Sequence, residues 1–134
     1  MARFAVLAAA VALAACQPPK PTLDPEAQPI AHAFFDEVRS GDDFMADTHV
    51  AHELKTPTSI DQIAQFRTLI PDGPPASVTL QRWNAKVDST GATTTIAEIY
   101  DYGDRKLLVQ TAFFKSPAGQ DPVIVGFKVE DGGG

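Results

Sequence analysis

Cys16 carries the only thiol in this 134-residue chain, so it is the chain's one candidate for thiol chemistry. It follows ten apolar residues, FAVLAAAVAL, and two small ones, Ala14 and Ala15, while Arg3 precedes the apolar run. A positive start, a short apolar stretch and small residues before a cut are the parts of a secretory signal peptide. A helix of ten residues rises only about 15 Å, half of a bilayer core, which is too short to span a membrane. We therefore predict a signal peptide over residues 1–15.

The sequence LAAC, which ends at Cys16, resembles the lipobox of bacterial lipoproteins. That resemblance implies that a diacylglyceryl group is attached to the Cys16 thiol, that the chain is cut before this residue, and that the new amino group is acylated. In Gram-negative lipoproteins, an Asp at the next position resembles a signal for retention in the inner membrane. Gln17 stands there instead, which predicts sorting to the outer membrane, facing the periplasm. The alternative is an ordinary cleaved signal with an incidental cysteine.

A proline-rich segment follows the cysteine, and QPPKPTLDPEAQP holds five prolines. Proline lacks a backbone NH and cannot continue a helix or a sheet ladder, so such a segment favours an extended polyproline II spacer. We predict that residues 16–28 are the lipidated cysteine and a tether. A proline-rich ligand for a partner protein is the alternative.

Two histidines, His49 and His52, stand three residues apart just before Glu53. On a helix, that spacing would place both rings on one face, as a metal site requires. A third ligand would have to come from elsewhere, and the candidates are His32, Asp36 and Asp43. Because two ligands do not make a site, we predict solvated histidines, no metal and no cofactor.

Several carboxyl groups could serve as a general base facing an apolar cavity. The acidic residues in question are Asp36, Glu37, Asp42 and Asp43. Tyr100, Asp101 and Tyr102 could supply the acid or phenol that holds an oxyanion. No pair of them is clearly placed to do so, and capping, turn or solvent-facing positions explain the acids, including Asp104. We therefore predict no catalytic residue and no enzymatic activity.

The elements that must position these residues begin with helices. Pro29 suits the first turn of a helix whose apolar residues recur up to Ser40, where Gly41 stops it. Asp42 or Asp43 is expected to cap a short second helix that runs to about residue 48. Thr58 or Ser59 is expected to cap a third helix, which ends at Pro71.

Four strands joined by short turns follow from residue 76 onwards. In the first of them, the apolar residues change parity between Leu80 and Trp83, which predicts a β-bulge near Gln81 and Arg82. The last strand is expected to alternate, with four residues on one face: Val123, Val125, Phe127 and Val129. We predict a single domain over residues 29–130 and a disordered tail over residues 131–134.

This order of elements predicts an α+β fold, with N-terminal helices packed on a curved four-stranded antiparallel meander. It resembles the cone-shaped nuclear transport factor 2-like fold, which ketosteroid isomerases, polyketide cyclases and many small bacterial lipoproteins share. The resemblance is carried by AHAFFDEVRSGDDFMA, TSIDQIAQFRTLIPDGPPASVTLQRWNAKV, DYGDRKLLVQTAFFK and VIVGFKV. It implies the fold and says little about activity, because this fold hosts many functions.

Aromatic residues lie on the elements that would form the wall of such a cone, and they predict either a packed core or a pocket for an apolar ligand. The pocket candidates are Phe34, Phe35, Trp83, Tyr100 and Phe113. Trp83 and Tyr100 are the residues that we expect at its mouth.

The functional prediction is a lipid-anchored protein of the cell envelope that acts as a non-enzymatic binding or interaction module. Its partners would be the membrane, through Cys16, and an apolar small molecule or an envelope protein. A formal charge of −6 without a basic cluster argues against nucleic-acid binding. Apolar residues of both parities in the middle strands predict a homodimer through the outer sheet face. The alternative is a small enzyme of isomerase, cyclase or dehydratase type, with one buried carboxylate or histidine beside a second polar group.

Overall fold

A computed structural model describes residues 22–132, which form two α-helices followed by four β-strands. The domain is therefore α+β, as the sequence predicts. The helices are α1, Ala27–Ser40, and α2, Pro57–Arg67, with a 3₁₀ turn at His52–Leu54 between them. The strands are β1, Ser77–Asp88, β2, Gly91–Asp101, β3, Lys106–Lys115, and β4, Val123–Asp131.

Helix α1 forms because its apolar residues recur at helical spacing and lie along one side. The residues buried on that side include Ala31, Phe34, Phe35 and Val38. The helix begins at Ala27, slightly before the predicted start, so Pro29 lies in its first turn, where a missing NH leaves no helical bond unmade. It ends near Ser40 as predicted, because Gly41 adopts a left-handed φ of 74° and its NH donates to the Val38 carbonyl at 3.1 Å.

Residues 42–49 contain turns instead of the short second helix that the sequence predicts, and Val50 pairs with Ile124 of β4. The carboxylates of Asp43 and Asp47 each accept the backbone NH two residues further on, at 2.9 and 2.8 Å. Such side-chain bonds to the backbone compete with the helical pattern. Phe44 still reaches the core, where its ring packs edge-to-face on Phe34 with centroids 5.4 Å apart.

Helix α2 begins slightly before the predicted start. Its cap is Thr56, whose hydroxyl accepts the NH of Ser59 at 3.3 Å, so neither Thr58 nor Ser59 is the cap. The helix ends at Arg67, before the break predicted at Pro71.

The four strands form one open antiparallel sheet in the order β1-β2-β3-β4. The bulge predicted near Gln81 and Arg82 is confirmed, because the pairing of β1 with β2 skips Gln81. The extra residue returns Trp83 to the same face as Leu80, and both pack against the core.

A second bulge, in β4, was not predicted. The pairing of β3 with β4 skips Val125 between Ile124 and Gly126. The alternation that places Val125 on the same face as Phe127 and Val129 is therefore wrong for the start of the strand. Ile124 takes the inward position instead and is fully buried.

The core lies between α1 and one face of the sheet. It divides into two groups of buried residues, because the neighbouring side chains of Phe34 and Phe35 pack into different groups. The larger group includes Phe34, Phe44, Ile63, Ile96, Phe113 and Ile124. The smaller group consists of Phe35, Tyr100, Leu107, Val109 and Val129. Glu98 and Thr111 are the two polar residues that the described part of the chain buries fully.

The folded domain reaches slightly beyond the predicted limits of residues 29–130. Leu23 packs against the core before α1 begins. At the other end, Asp131 belongs to β4 and the NH of Gly132 donates to the Lys106 carbonyl at 2.8 Å. The tail predicted from Asp131 onwards therefore overlaps the end of the sheet.

Candidate functional site

A cavity of about 330 Å³ opens at the end of the sheet where α1 begins. Its volume lies at the lower end of the range for small-molecule sites, whose walls are mainly apolar with a few polar groups. The apolar residues that line it are Ala27, Ala85, Val87, Ala92, Phe113 and Pro122. This composition suits an apolar ligand.

Small side chains explain why there is space at this position. Ala27 on α1, Ala85 on β1 and Ala92 on β2 each place only a methyl group into the cavity. Phe113 on β3, which is buried, closes it from the core side. The space therefore results from three alanines that meet where the helix starts.

An ion pair lies at the edge of this cavity. The Lys115 ammonium lies 3.2 Å from the Asp24 carboxylate, and both residues line the cavity. The Glu26 backbone NH, and to a lesser extent Lys115, hold the pKa of Asp24 below its usual range against the opposing effect of partial burial. The Asp24 carboxyl group is thus charged at neutral pH.

The five aromatic residues predicted as pocket candidates lie in different places. Phe113 lines the cavity, whereas Phe34 and Phe35 are buried on α1. Phe35 stacks on Tyr100 with ring centroids 4.1 Å apart, and Tyr100 is itself buried. Trp83 is half-buried against the larger core group.

A buried carboxylate, Glu98, forms the most unusual polar cluster of the domain. Its side chain lies on the inward face of β2 and the residue is 0% exposed. One oxygen, Oε2, lies 2.7 Å from Nε2 of His32 and accepts the Gln28 side-chain amide at 3.2 Å. The other oxygen, Oε1, has no hydrogen-bond partner among the described residues. Gln28 and His32 reach it together because they lie one turn apart on α1.

Tyr100 extends this cluster. Its ring meets that of His32 edge-on, with centroids 6.2 Å apart. Burial first, and then the negative charges of Glu98 and Asp36, raise the pKa of the Tyr100 phenol above its ordinary value. Tyr100 is therefore a neutral phenol at any physiological pH.

The arrangement of Glu98 and His32 is compatible with acid–base chemistry. A neutral imidazole that donates from Nε2 to the carboxylate keeps its lone pair on Nδ1. The His32 side chain is 42% exposed, so solutes can reach the ring. A carboxylate that orients an imidazole is a common way to build a general base.

Glu98 was not among the residues predicted for a site, although its position in the strand carries a signal. Glu98 has the same parity as Ile96 and Tyr100 in a strand rich in apolar residues, so the alternation of a strand predicts that its side chain points inward with theirs. The residues favoured as candidate acids lie elsewhere: Asp36 is exposed, and Asp101 accepts the Gly103 NH at 2.8 Å in a turn.

A pair of acidic residues is formed by Glu37 on α1 and Asp47 in the segment that follows the helix. Burial, followed by the hydrogen bond and the charge of Asp47, raises the pKa of Glu37 to about 7. Burial also disfavours ionisation of Asp47, but hydrogen bonds from the Glu37 carboxyl and the His49 NH outweigh it and lower the pKa of Asp47. At mildly acidic pH the two groups therefore share one proton, which Glu37 carries and releases as the pH rises through about 7.

The predicted histidine pair does not acquire further ligands. His52 is exposed in the 3₁₀ turn, and His49 lies half-buried before it. Over residues 22–132, no three His, Cys, Asp or Glu side chains meet as a metal ion would require.

The predicted lipidation residue Cys16 and sorting residue Gln17 lie outside the described residues, as does the signal peptide over residues 1–15. Within residues 22–132, no helix is long and apolar enough to cross a membrane.

Comparison with known proteins adds no family: no protein-family model, curated protein or solved structure matches this chain. Function must therefore be argued from the residues themselves.

The Glu98–His32 pair predicts an asymmetry between two substitutions. His32→Ala should lower the free energy of unfolding by about 1–3 kcal/mol, because the buried carboxylate loses its closest donor. Glu98→Leu removes the charge at similar volume and should cost less. Urea unfolding measures both, with His52→Ala as the exposed-histidine control, for which little change is expected. An equal or greater loss in Glu98→Leu would contradict this asymmetry.

The Glu37–Asp47 pair predicts that stability depends on pH. The pKa of Glu37 is about 7 in the folded chain, against an ordinary value of about 4.3, so the folded state binds the proton more tightly. The stability from this proton is present below the ordinary pKa and is lost as the pH rises through the folded pKa. Glu37→Gln should therefore flatten the decline in thermal midpoint between about pH 5 and 8.

Glu53→Gln is the matched control for this experiment, because Glu53 is exposed in the 3₁₀ turn. It should leave the pH dependence of the wild-type chain unchanged. If Glu37→Gln and Glu53→Gln give the same slope, Glu37 does not hold the proton.

Proposed function

We propose that this chain is a lipid-anchored protein of the cell envelope whose folded domain binds a small apolar molecule without transforming it. The observation that carries the proposal is the cavity of about 330 Å³ with mainly apolar walls. Sites of this composition bind ligands by excluding water from apolar surface.

The anchor is proposed from the sequence of residues 1–17. A diacylglyceryl group on Cys16 and an acylated amino group supply enough chains for stable attachment. Gln17 supports placement on the outer membrane of a Gram-negative bacterium, facing the periplasm. The tether then joins this anchor to the folded domain, whose described part begins at Thr22.

The nuclear transport factor 2-like cone is also a proposal. It is supported by helices that precede an antiparallel sheet, by a bulge in β1 and by a core on a single helix-covered face. Bulges bend a sheet, and a bent sheet leaves room beneath the helix.

Binding is favoured over catalysis because of what surrounds the cavity. Asp24 is the one carboxylate among its lining residues, and it is already paired with Lys115. No histidine of the described part of the chain lines this cavity. An acid and a base therefore do not converge on a ligand held there.

A small acid–base enzyme is the second candidate, and one observation favours it. Glu98 is buried beneath α1 and bound to His32, which solutes can reach. If removal of the buried Glu98 carboxyl group costs the fold little, as we expect for Glu98→Leu, its presence would point to a role in function. The unfolding measurements on His32→Ala and Glu98→Leu therefore also bear on this candidate.

An interaction through the outer sheet face stays a prediction for the same protein. Ile99, Leu108 and Phe114 lie half-buried on that face. A second copy or an envelope protein would cover them further, and analytical ultracentrifugation of the purified chain would show a dimer.

The cavity predicts where a ligand can be blocked. Ala85→Phe should fill the cavity from β1, where aromatic residues suit a strand. The dissociation constant of the uncharged dye N-phenyl-1-naphthylamine, measured by fluorescence titration, should rise at least about tenfold.

Asn84→Phe is the matched control, because Asn84 is the preceding residue of the same strand and lies on the opposite face, exposed to solvent. It should leave dye binding unchanged. Equal dye affinity in both variants would overturn the proposed site.

The lipid anchor predicts the behaviour of Cys16→Ser. In cells grown with radiolabelled palmitate, the wild-type chain should take up the label and fractionate with the outer membrane. The variant should remain an unlabelled precursor, because serine lacks the thiol that carries the diacylglyceryl group. A variant that is still labelled would refute the assignment.

A further inference from the structure

We infer that the cavity takes the single acyl chain of an amphiphile whose head carries no net charge, and that this ligand enters from the membrane. The inference rests on the proposed function, because it names the ligand class of the same cavity. Position, volume and charge support it separately.

The position of the cavity relative to the anchor follows from chain length. Thr22 and Asp24 both line the cavity, so the chain that leads to the anchor leaves the domain at this place. Six peptide steps separate Thr22 from Cys16. A chain spans at most about 3.3–3.6 Å per residue, so the cavity lies within about 20 Å of the lipidated residue. That limit holds for any conformation of the connecting residues.

An apolar side chain at the cavity edge points to the same direction of approach. Val87 lines the cavity and is 74% exposed, more than any other large apolar residue of the described chain. The free-energy cost of exposing this valine to water would be small beside the interfacial region of a membrane, because that region takes up apolar groups. It also offers an acyl chain a continuous apolar path into the cavity.

The cavity volume selects one chain of moderate length. About 330 Å³ holds roughly eleven groups the size of a water molecule, at about 30 Å³ each. An acyl chain of about ten to twelve carbons fits this space, because a methylene is similar in size. Two chains side by side would exceed it.

The charge at the cavity edge selects the head group. The carboxylate of Asp24 and the ammonium of Lys115 satisfy each other at 3.2 Å. A charged head would meet one like and one unlike charge of this pair, so it would gain no net attraction unless it broke the pair. A head without net charge leaves the pair intact, so it binds without that cost.

The test compares three ligands of equal chain length that displace N-phenyl-1-naphthylamine: dodecanol, dodecanoate and dodecylammonium. On the wild-type chain, dodecanol should bind at least about fivefold more tightly than either charged ligand. Asp24→Asn should improve dodecanoate binding about fivefold, and Lys115→Gln should do the same for dodecylammonium. Loss of folding cannot produce these gains, and dodecanol binding in each variant serves as the internal control.

Approach from the membrane is tested by tether length. The lipidated chain is reconstituted into phosphatidylethanolamine and phosphatidylglycerol vesicles that contain dodecanol, and dye displacement is followed by stopped-flow fluorescence. Insertion of a flexible Gly/Ser segment of about twenty residues between Pro21 and Thr22 should slow loading several-fold and leave the affinity for dodecanol unchanged. Equal loading rates would show that the ligand arrives from solution and would overturn this part of the inference.

Failure of this inference can be told apart from failure of the proposed function. If the dye does not bind, or if Ala85→Phe leaves its binding unchanged, the proposed function fails. If Ala85→Phe blocks the dye but dodecanoate or dodecylammonium binds as tightly as dodecanol, the cavity stands and the head-group inference is overturned.

Discussion

The packing of α1 across one face of the sheet determines where everything else in the domain lies. The helix has 14 residues and rises about 21 Å, whereas the 11 residues of β2 extend about 36 Å. Helix α1 therefore cannot cover β2 along the whole length of the strand. Phe34 packs on Phe127 and Phe35 packs on Tyr100, while Ala27 at the start of the helix lines the same cavity as Ala92 at the start of β2. The cavity lies at the start of α1, where the three alanines leave space between the helix and the sheet.

The same packing explains why a charge is tolerated in the core. Glu98 lies beneath α1, where two polar side chains one helical turn apart can reach one of its oxygens. A buried carboxyl group without such partners would cost several kcal/mol. The donors come from the half of α1 that faces β2, while the apolar side of the helix faces the rest of the core. Helix α1 thus supplies both the apolar and the polar contacts of its interface with the sheet.

The sequence predicted the parts of the fold that local patterns encode. The end of α1 at Gly41 and the bulge at Gln81 follow from a left-handed glycine and from a change of parity, both of which are visible in a few residues. The turns over residues 42–49 and the bulge at Val125 were missed, because there local side-chain bonds and pairing with a neighbouring strand override the apolar pattern.

The candidate site was harder to predict, for a reason that is physical. Three alanines and a phenylalanine line a cavity only when the helix and three strands are placed together, and nothing in any one segment marks them. Glu98 differs, because its parity with Ile96 and Tyr100 already placed it inward. A charged residue in phase with a buried apolar stripe is therefore a better guide to a site than a group of acids near a turn.

The cavity and the start of the described domain share one segment, which would link the proposed ligand to the proposed anchor. Residues 22–24 form part of the cavity wall without belonging to a helix or strand. Their link to the sheet includes the contact of Leu23 with the core and the ion pair between Asp24 and Lys115. A partly exposed ion pair of this kind contributes at most about 1 kcal/mol. The strands that form the other walls are joined by a ladder of hydrogen bonds, whereas Thr22 and Asp24 belong to no helix or strand. The wall nearest the proposed anchor is therefore held by the packing of Leu23, the ion pair of Asp24 and one backbone hydrogen bond from Ala27, and not by a sheet ladder.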